Sequence, residues 1–468
     1  MEYSADLAVI GAGPAGYAAA LRASRLNMKV ILVEKAKEGG TCLNWGCIPA
    51  KSLLYSAALL IKMKNAARFG LNAEKVFPDF NAVIQRSRAC ADRLGGGVAL
   101  LLKNRGVHVI RGEAFFQNPS VLEVRNPAGE TTDRITAANV LIATGAHPKI
   151  LSDTDVNGKT IWTSSHALMP EKQPASLIIL GGGAIGMEMA SFYAAMGTKV
   201  TVLEGFERVL PAEDPEISEA VRKSYTRRGV AVRCGVKILS VKDVDGEQAC
   251  VVYEKDGIRE TMSADVVLTA LGVAPNTRGI GLENTAVQVS ERGGIVTDGR
   301  GRTDEPSVFA AGDVTAPPFL AHKALRQGVL AVECMARRDS LPPLDETPMP
   351  ACTFCFPQVA SVGMTEEKAL QNGWSPSVGR FPLIGNGKSV VMGDTEGFVK
   401  VVSDTKTGKI LGAHMVGEGV CELIGAFSEA IAADLTVSQM KGTVFPHPTQ
   451  SEMLEEAILA TRGEALHI

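Results

Sequence analysis

The alternation of apolar and polar residues follows one scheme that occurs twice in this chain. The segments "DLAVIGAGPAGYAAALRASRLNMKVILVEK" (6–35) and "SLIILGGGAIGMEMASFYAAMGTKVTVLEG" (176–205) align without a gap. Each begins with an apolar run typical of a buried strand and continues through a glycine-rich turn into an Ala-rich helical stretch. Each ends in a second apolar run that closes on a carboxylate. This order predicts a β-α-β unit with parallel strands, present in two copies.

The turn of each unit has the spacing G-x-G-x-x-G. The residues concerned are Gly11, Gly13, Gly16 and the terminal acid Glu34 in the first unit, and Gly181, Gly183, Gly186 and Glu204 in the second. Glycines at these positions allow a tight turn, a close approach of pyrophosphate to backbone N–H groups, and close packing of helix against strand. The acid can accept hydrogen bonds from the ribose hydroxyls of an adenosine. The repeat therefore predicts two dinucleotide sites.

A second pair of similar segments indicates how the units are connected. "NVLIATGAHP" (139–148) is similar to "VVLTALGVAPN" (266–276), and the second β-α-β unit lies between them. An apolar strand, Asp313 and a helix follow within 307–328, where the first domain resumes. The segment "RRDSLPPLDETPMP" (337–350) has the composition of a linker. Beyond it, "SVVMGDTEGFVKVVSD" (389–404) and "KILGAHMVG" (409–417) indicate strands, and helices follow.

These observations predict an α/β fold with two Rossmann-like dinucleotide-binding domains, one inserted in the other, and a C-terminal α+β domain. The predicted boundaries are 1–147 and 272–340 for the two parts of the first domain, 148–271 for the inserted domain and 341–468 for the C-terminal domain.

Composition narrows the classes of function. Of the 468 residues, 46% are hydrophobic and 21% are charged, which is ordinary for a soluble protein. A net charge of -3 gives no reason to expect a nucleic-acid or membrane partner. The N-terminus has no basic segment or cleavage site, and no apolar run reaches membrane-spanning length. The nine cysteines are scattered, unlike a secreted disulfide framework, so we expect a cytoplasmic protein.

Two of the cysteines, Cys42 and Cys47, lie in "GGTCLNWGCIPAKSLL" (39–54). In a regular helix their Cα atoms would be roughly 8–9 Å apart, beyond the usual disulfide span of about 4.4–6.8 Å. Gly46 and Pro49 could permit the distortion that a disulfide needs. The alternatives are two buried free cysteines or half of a zinc site. Zinc would need further His or Cys ligands at close spacing, which the sequence lacks, so we expect no metal. Beside a dinucleotide fold, a redox pair is favoured.

Three motifs together resemble those of the flavin-dependent pyridine-nucleotide disulfide oxidoreductases. They are the cysteine segment above, "RTDEPSVFAAGDV" (302–314), which is similar to the second FAD motif of that family, and "FPHPTQSEMLEEA" (445–457), which is similar to its acid–base motif. The resemblance extends from residue 6 to about 460. Within the family, "LNWGCIPAK" (43–51) and "LAHKA" (320–324) are most similar to the members that oxidise dihydrolipoamide.

The resemblance implies two cofactors, FAD and NAD. FAD would be held by the first glycine-rich turn and Glu34, by Asp313 at the ribityl or phosphate portion, and along the flavin by Thr144, Gly145, Ala321 and His322. NAD would be held by the second turn and Glu204, with Val236 and Gly272. A carboxylate at Glu204 repels a 2′-phosphate, which predicts NAD over NADP.

The resemblance also implies the catalytic roles. Cys47 would be the thiolate against the flavin, and Cys42 would exchange with the substrate thiols. Lys51 and Glu188 would pair near the flavin N5. His447, oriented by Glu452, would act as acid–base for Cys42 and the substrate thiols, and in a two-fold dimer each His447 would serve the cysteines of the other chain.

The implied reaction is the oxidation of protein-bound dihydrolipoamide with reduction of NAD+. The implied partners are a second copy of the chain, joined through the C-terminal domain, and a lipoylated acyltransferase of a 2-oxoacid dehydrogenase complex or a glycine-cleavage carrier protein. Another flavoprotein disulfide reductase, of the glutathione or mercuric type, is the nearest alternative. Glu204 disfavours the glutathione type, and the lack of a C-terminal cysteine pair disfavours the mercuric type. A non-catalytic flavoprotein subunit is the more distant alternative.

Overall fold

A computed structural model describes residues 1–337 and 341–468. The chain packs as two compact units. The first consists of Met1–Ser52, Ile84–Lys149 and Val273–Asp345, and the second consists of Leu53–Val83, Ile150–Gly272 and Glu346–Ile468. Part of the linker predicted at 337–350, residues 338–340, lies outside the described residues, as does the predicted boundary at 340.

The strands of the described residues, in chain order, are β1 (Glu2–Ile10), β2 (Val30–Glu34), β3 (His108–Arg111), β4 (Glu113–Asn118), β5 (Val121–Arg125), β6 (Thr131–Ile142), β7 (Ala146–Pro148), β8 (Ile161–Trp162), β9 (Ser176–Leu180), β10 (Lys199–Leu203), β11 (Ala231–Arg233), β12 (Lys237–Asp243), β13 (Ala249–Lys255), β14 (Ile258–Ala264), β15 (Val266–Thr269), β16 (Val273–Pro275), β17 (Val308–Ala310), β18 (Ala351–Thr353), β19 (Val359–Gly363), β20 (Pro376–Pro382), β21 (Phe398–Asp404) and β22 (Ile410–Val416).

The helices of the described residues, in chain order, are α1 (Pro14–Arg25), α2 (Gly40–Trp45), α3 (Cys47–Lys64), α4 (Phe80–Asn104), α5 (Ser164–Ala167), α6 (Ala184–Met196), α7 (Pro215–Arg227), α8 (Ala321–Arg337), α9 (Glu366–Gln371), α10 (Gly387–Met392), α11 (Val420–Leu423), α12 (Gly425–Ala432), α13 (Val437–Met440) and α14 (Glu452–Ala460). Short 3-10 turns occupy Ala66–Phe69, Leu282–Asn284 and Leu383–Gly385.

The first unit is built on one large sheet with the order β3-β2-β1-β6-β5-β4, in which β17 also pairs with β6. Strands β1, β2, β3, β6 and β17 run parallel, whereas β4 and β5 are antiparallel additions. Leu7 and Val9 of β1 pack into the core under α1, α4 and α8, while Ala8 and Ile10 pack into a second core on the opposite face. Burial on both faces explains why β1 reads as a continuous apolar run.

The second unit contains three sheets. The parallel sheet has the order β11-β10-β9-β15-β8 and holds the second β-α-β unit. An antiparallel meander, β12-β13-β14, packs into the same apolar core. The C-terminal sheet, β18-β19-β22-β21-β20, is antiparallel, and its core includes residues of α12 and α14.

The predicted fold class is confirmed, with one local correction. The strand predicted over 389–404 is wrong in its first part, because Ser389–Met392 belong to α10 and the strand begins at Phe398. The side chain of Asn386 accepts the Ser389 N–H at 2.9 Å and so caps that helix. Within the described residues, none of the helices is both long enough and apolar enough to cross a membrane.

Strand direction determines which loops meet. Because β1, β6 and β17 are parallel, their carboxyl ends lie at the same edge of the sheet. The loops that follow them carry Gly11, Thr144 and Asp313. In open α/β sheets, ligands bind in the crevice at this edge. Three of the predicted FAD residues, Gly11, Thr144 and Asp313, therefore lie at the same edge of this sheet.

Candidate active site

The first glycine-rich turn is shaped by close backbone contacts. Gly11 has a φ of +98°, and a Cβ there would meet the carbonyl oxygen of Ala143. A Cβ at Gly16 would clash with the carbonyl oxygen of Gly11 itself. Helix α1 begins beyond Gly13, where no side chain among the described residues caps the helix. Uncapped amides at a helix N-terminus, reached through a turn without side chains, fit a pyrophosphate.

Glu34 forms the other end of this cradle. Its side chain is 7% exposed, and its carboxylate accepts the N–H groups of Ala12 at 2.6 Å and Ala36 at 2.7 Å. These two contacts fix the carboxylate beside the turn, next to a cavity of about 650 Å³ that Gly11 and Glu34 help to line. The size and the donor set suit the adenosine end of a dinucleotide.

Part of the cavity wall is formed by residues that were not predicted. The segment 274–280, which enters the first unit immediately after the inserted region, lines the cavity with Asn276 and Arg278. The Asn276 side chain donates to the Thr144 carbonyl at 2.8 Å, and the Thr144 hydroxyl donates to the Asn276 carbonyl at 2.7 Å. The N–H of Asn276 also donates to the Gly145 carbonyl at 2.9 Å. The similarity of 139–148 to 266–276 was the available signal for this pairing, because β7 and β16 form a two-stranded ladder.

The second turn has the same close backbone contact and the same carboxylate hydrogen bonds as the first. Gly181 has a φ of +105°, and a Cβ there would meet the Ala270 carbonyl oxygen, as at Gly11. The Glu204 carboxylate, 6% exposed, accepts the N–H groups of Gly182 and of Phe206, the latter at 2.8 Å. In each turn the carboxylate therefore accepts two backbone N–H groups. One belongs to the residue that follows the first glycine, and the other belongs to the residue two positions after the acid. The sequence repeat therefore corresponds to a repeat of hydrogen bonds.

The two turns differ in what surrounds their middle glycine. The nearest atom to a Cβ at Gly13 would be the Cα of Gly40, the first residue of α2, at 4.0 Å. At Gly183, no atom of the described residues lies within 4 Å of such a Cβ. The predicted contacts of a nucleotide with Val236 and Gly272 stay predictions. The Val236 side chain is buried in the core of the inserted region, and Gly272 has a φ of +90°.

Residues 40–64, named the cysteine hairpin, form two consecutive helices that are separated by a one-residue break. Cys42 lies in α2 and Cys47 begins α3, and Gly46 breaks the helix between them. The two cysteines are joined by a disulfide with their Cα atoms 4.7 Å apart, far closer than a continuous helix allows. A Cβ at Gly46 would lie 3.0 Å from the Thr41 carbonyl oxygen, so glycine permits the close return of the chain. The predicted pairing of Cys42 with Cys47 is confirmed.

Across residues 1–337 and 341–468, the His, Cys, Asp and Glu side chains form no group of three or more that could hold a metal ion.

Asp313 and the start of α8 complete the carboxyl edge of the first sheet. Asp313 follows β17 and is half-buried. Burial raises the pKa of its carboxyl, and the Lys323 ammonium opposes the rise. Ala321 is the first residue of α8 and His322 is exposed beside it. Lys323 is buried, and its ammonium donates to the Ala316 carbonyl at 3.1 Å. The predicted contacts of Asp313, Ala321 and His322 with a flavin dinucleotide stay predictions.

His447 and Glu452 form the predicted dyad in the C-terminal region. Nδ1 of His447 lies 2.8 Å from Glu452 Oε1, and the other carboxylate oxygen accepts the Thr449 N–H at 2.9 Å. The Thr449 N–H, and then the imidazole, lower the pKa of the Glu452 carboxyl. A carboxylate bonded to Nδ1 keeps the proton there and leaves Nε2 free to accept one. The His447 side chain is 78% exposed, so this nitrogen is accessible.

The predicted pairing of Lys51 with Glu188 stays a prediction, because the two residues belong to different compact units. Lys51 lies in the second turn of α3. Glu188 is buried in α6, where its Oε1 accepts the Phe354 N–H at 2.9 Å.

Comparison with known proteins agrees with this geometry. Residues 5–328 match the family "Pyridine nucleotide-disulphide oxidoreductase", and residues 349–458 match the dimerisation domain of the same family. A protein of Rhizobium etli named dihydrolipoyl dehydrogenase is 43% identical over the full length of both chains. One of the same name from Zymomonas mobilis is 44% identical, covering 99% of each chain.

A solved structure has a similar fold. The crystal structure of LpdA from Mycobacterium tuberculosis is 27% identical to this chain, with a TM-score of 0.89, covering 97% of this chain and 99% of that one. The two glycine cradles, the cysteine hairpin and these matches lead to one conclusion: the chain belongs to the pyridine nucleotide-disulphide oxidoreductase family.

Proposed function

We propose that this protein is a dihydrolipoyl dehydrogenase, which oxidises protein-bound dihydrolipoamide with FAD and reduces NAD+. The observation that carries the proposal is the closed Cys42–Cys47 disulfide, which directly follows an FAD-type cradle in the same compact unit. The relatives at 43% and 44% identity, which carry that name over their full length, support the choice of substrate.

The chemistry assigned to the chain's own residues is thiol–disulfide exchange. A thiolate of the dihydrolipoyl group attacks Cys42 Sγ, the Cys42–Cys47 bond breaks, and Cys47 leaves as a thiolate. The second lipoyl thiol then attacks the lipoyl sulfur of the mixed disulfide, so that the lipoyl group leaves as a cyclic disulfide. The displaced Cys42 takes up the proton of this second thiol and is left as a thiol. His447 Nε2 accepts the proton of the attacking thiol, and the Glu452 carboxylate stabilises the resulting imidazolium. FAD, which the first glycine-rich turn and Glu34 would hold, would supply a two-electron acceptor for the reduced thiols and a hydride donor toward NAD+.

The choice of NAD rests on Glu204. Its carboxylate is held by two backbone N–H groups at the end of β10, where a dinucleotide ribose would lie. A 2′-phosphate placed there would face a fixed negative charge.

The family's dimerisation domain at residues 349–458 supports a homodimer. The proposed partner is a lipoylated acyltransferase of a 2-oxoacid dehydrogenase complex or a glycine-cleavage carrier protein, because a dihydrolipoyl substrate is carried on such proteins. The proposed location is the cytoplasm, since the scattered cysteines suit a reducing compartment.

The proposed domain boundaries are those predicted from the sequence. They are supported by the first compact unit, which stops at Lys149 and resumes at Val273, close to the predicted ends of the inserted domain.

Steady-state assays with the purified protein test the proposal. Dihydrolipoamide with NAD+ should give NADH at a high rate, and NADP+ should be a poor acceptor. Glutathione disulfide and Hg(II), each with NADH or NADPH, serve as alternative substrates. Fast reduction of glutathione disulfide or Hg(II), with no oxidation of dihydrolipoamide, would replace the proposal with another disulfide reductase.

A further inference from the structure

Helix α4 contacts the cysteine hairpin through three consecutive residues. The Arg88 guanidinium donates to the Asn44 carbonyl at 2.5 Å, the Ser87 hydroxyl donates to the Pro49 carbonyl at 3.3 Å, and the Arg86 guanidinium donates to the Ser52 hydroxyl at 2.8 Å. These contacts lie on both sides of the break at Gly46. Among them, only the Arg88 contact reaches the stretch between the two cysteines.

The carbonyl of Asn44 is suited to this contact. Asn44 lies in the last turn of α2, where a helix cannot satisfy its own carbonyl groups. The Asn44 side chain is 2% exposed and donates to the carbonyls of Glu38 and Gly40, each at 3.0 Å, which ties the turn to the start of the helix. A cation at the C-terminal end of a helix is also favoured by the aligned peptide dipoles. Arg88 therefore holds the last turn of α2 from outside, while the Asn44 side chain ties that turn to the start of the helix.

Holding this guanidinium in place has a cost. Burial lowers the pKa of Arg88, although an arginine stays charged at neutral pH. Its Nη1 is buried, with no hydrogen-bond partner within the described residues. A donor left without a partner is unfavourable, so the contact with Asn44 must offset that cost.

The contact matters most when the disulfide is open. In the oxidised protein the S–S bond itself holds the Cα atoms of Cys42 and Cys47 4.7 Å apart. Once the disulfide is reduced, only non-covalent contacts oppose relaxation of the hairpin toward a regular helix, in which the cysteines would be roughly 8–9 Å apart. A contact that keeps two thiols close raises their effective concentration and so favours the disulfide.

We propose that Arg88 is a positioning residue of the redox centre, which keeps the reduced cysteines close together by holding the Asn44 carbonyl. The inference rests on the proposed redox role of Cys42 and Cys47 but not on the identity of the dithiol. Removing the guanidinium frees the reduced hairpin while the covalently closed form changes little. The equilibrium constant for disulfide formation then falls on the order of tenfold. This fold-change corresponds to a midpoint potential less negative by about 30 mV.

The test measures this potential in the holoenzyme. Wild-type, Arg88→Met, Arg88→Lys and Arg93→Met enzymes are equilibrated in dithiothreitol redox buffers under anaerobic conditions. The thiols are then trapped by alkylation and counted on the peptides that contain Cys42 and Cys47. Arg93 is an exposed cation on the same helix, so its substitution matches the loss of charge without touching the hairpin. Thermal unfolding of each variant is recorded alongside.

We expect Arg88→Met to shift the potential by about 30 mV, Arg93→Met to leave it unchanged, and Arg88→Lys, which retains a cationic donor, to lie between Arg88→Met and wild type. Equal potentials in Arg88→Met and wild type, or equal shifts in Arg88→Met and Arg93→Met, overturn the inference. If Arg88→Met does not fold, Arg88→Lys decides through the same comparison. A wild-type disulfide that cannot be reduced at all would instead refute the proposed function.

Discussion

The coenzyme preference can be tested at Glu204, because the structure supplies a matched control. The Glu204 carboxylate accepts two backbone N–H groups, one with each oxygen, and the Glu34 carboxylate does the same at the first turn. A glutamine has one oxygen, so Glu204→Gln satisfies one N–H and places an amide NH₂ against the other. An unsatisfied buried donor costs about 1–3 kcal/mol. The free energy of unfolding should fall by that amount in both Glu204→Gln and Glu34→Gln.

Only one of the two variants should change the choice of acceptor. Losing the charge at Glu204 removes a hydrogen-bond acceptor for the NAD ribose and removes the repulsion toward a 2′-phosphate. We expect kcat/KM for NAD+ to fall about tenfold and that for NADP+ to rise, which narrows the NAD preference roughly 10- to 100-fold. Glu34→Gln should weaken FAD retention and leave the ratio unchanged. The reasoning is refuted if the wild-type enzyme prefers NADP+, or if Glu204→Gln and Glu34→Gln have the same ratio.

Three further predictions concern the catalytic groups and the ion pairs of Glu216. Cys42→Ser and Cys47→Ser should each abolish turnover of dihydrolipoamide, and full activity in either would return the pair to a structural role. If each site is shared across a dimer, co-expressed Cys42→Ser and His447→Gln chains should regain about a quarter of wild-type activity. Random pairing makes half of the dimers hybrids, and each hybrid has one intact site of two. No recovery of activity in proven hybrids would assign His447 to the cysteines of its own chain. The Arg380 guanidinium, and after it the Lys400 ammonium, lower the pKa of Glu216 to about 2. The ionised carboxylate therefore stabilises the fold above its unfolded pKa, and this contribution is lost as the pH falls through about 2. Chemical denaturation should show Glu216→Gln less stable than wild type at pH 7 and equal to it near pH 2, and a gap that persists at low pH would contradict this origin.

The nucleotide cradles could be predicted from the sequence because their determinants are local. Each turn requires glycines at fixed spacing, and each acid follows its strand within the same 30-residue segment. The structure adds the exact partners of these acids, which are amides adjacent to residues already identified. The break in the helix between Cys42 and Cys47 could also be predicted from the sequence, because a regular helix and a disulfide are geometrically incompatible at this spacing. Sequence alone did not show that the break would fall at Gly46 rather than Pro49.

Features that depend on distant parts of the chain were missed. Arg88 contacts a carbonyl 44 residues away, and Asn276 meets Thr144 from 132 residues away. Hydrophobic periodicity carries no information on such pairs. The error at Ser389–Met392 has a different cause, because a short apolar run does not distinguish strand from helix. There the capping residue Asn386 was the better signal, and it stands three positions before the run.

The difference between Gly13 and Gly183 bears on how long each dinucleotide stays bound. Helix α2 begins beside Gly13, so a pyrophosphate bound at the first turn would lie next to the segment that carries the cysteines. At Gly183, the described residues place no atom within 4 Å of a Cβ position. We therefore expect slow release from the first turn, with a residence time that spans many turnovers, and exchange within each cycle at the second. Two cradles with the same hydrogen bonds would then differ in dissociation rate because of their surroundings.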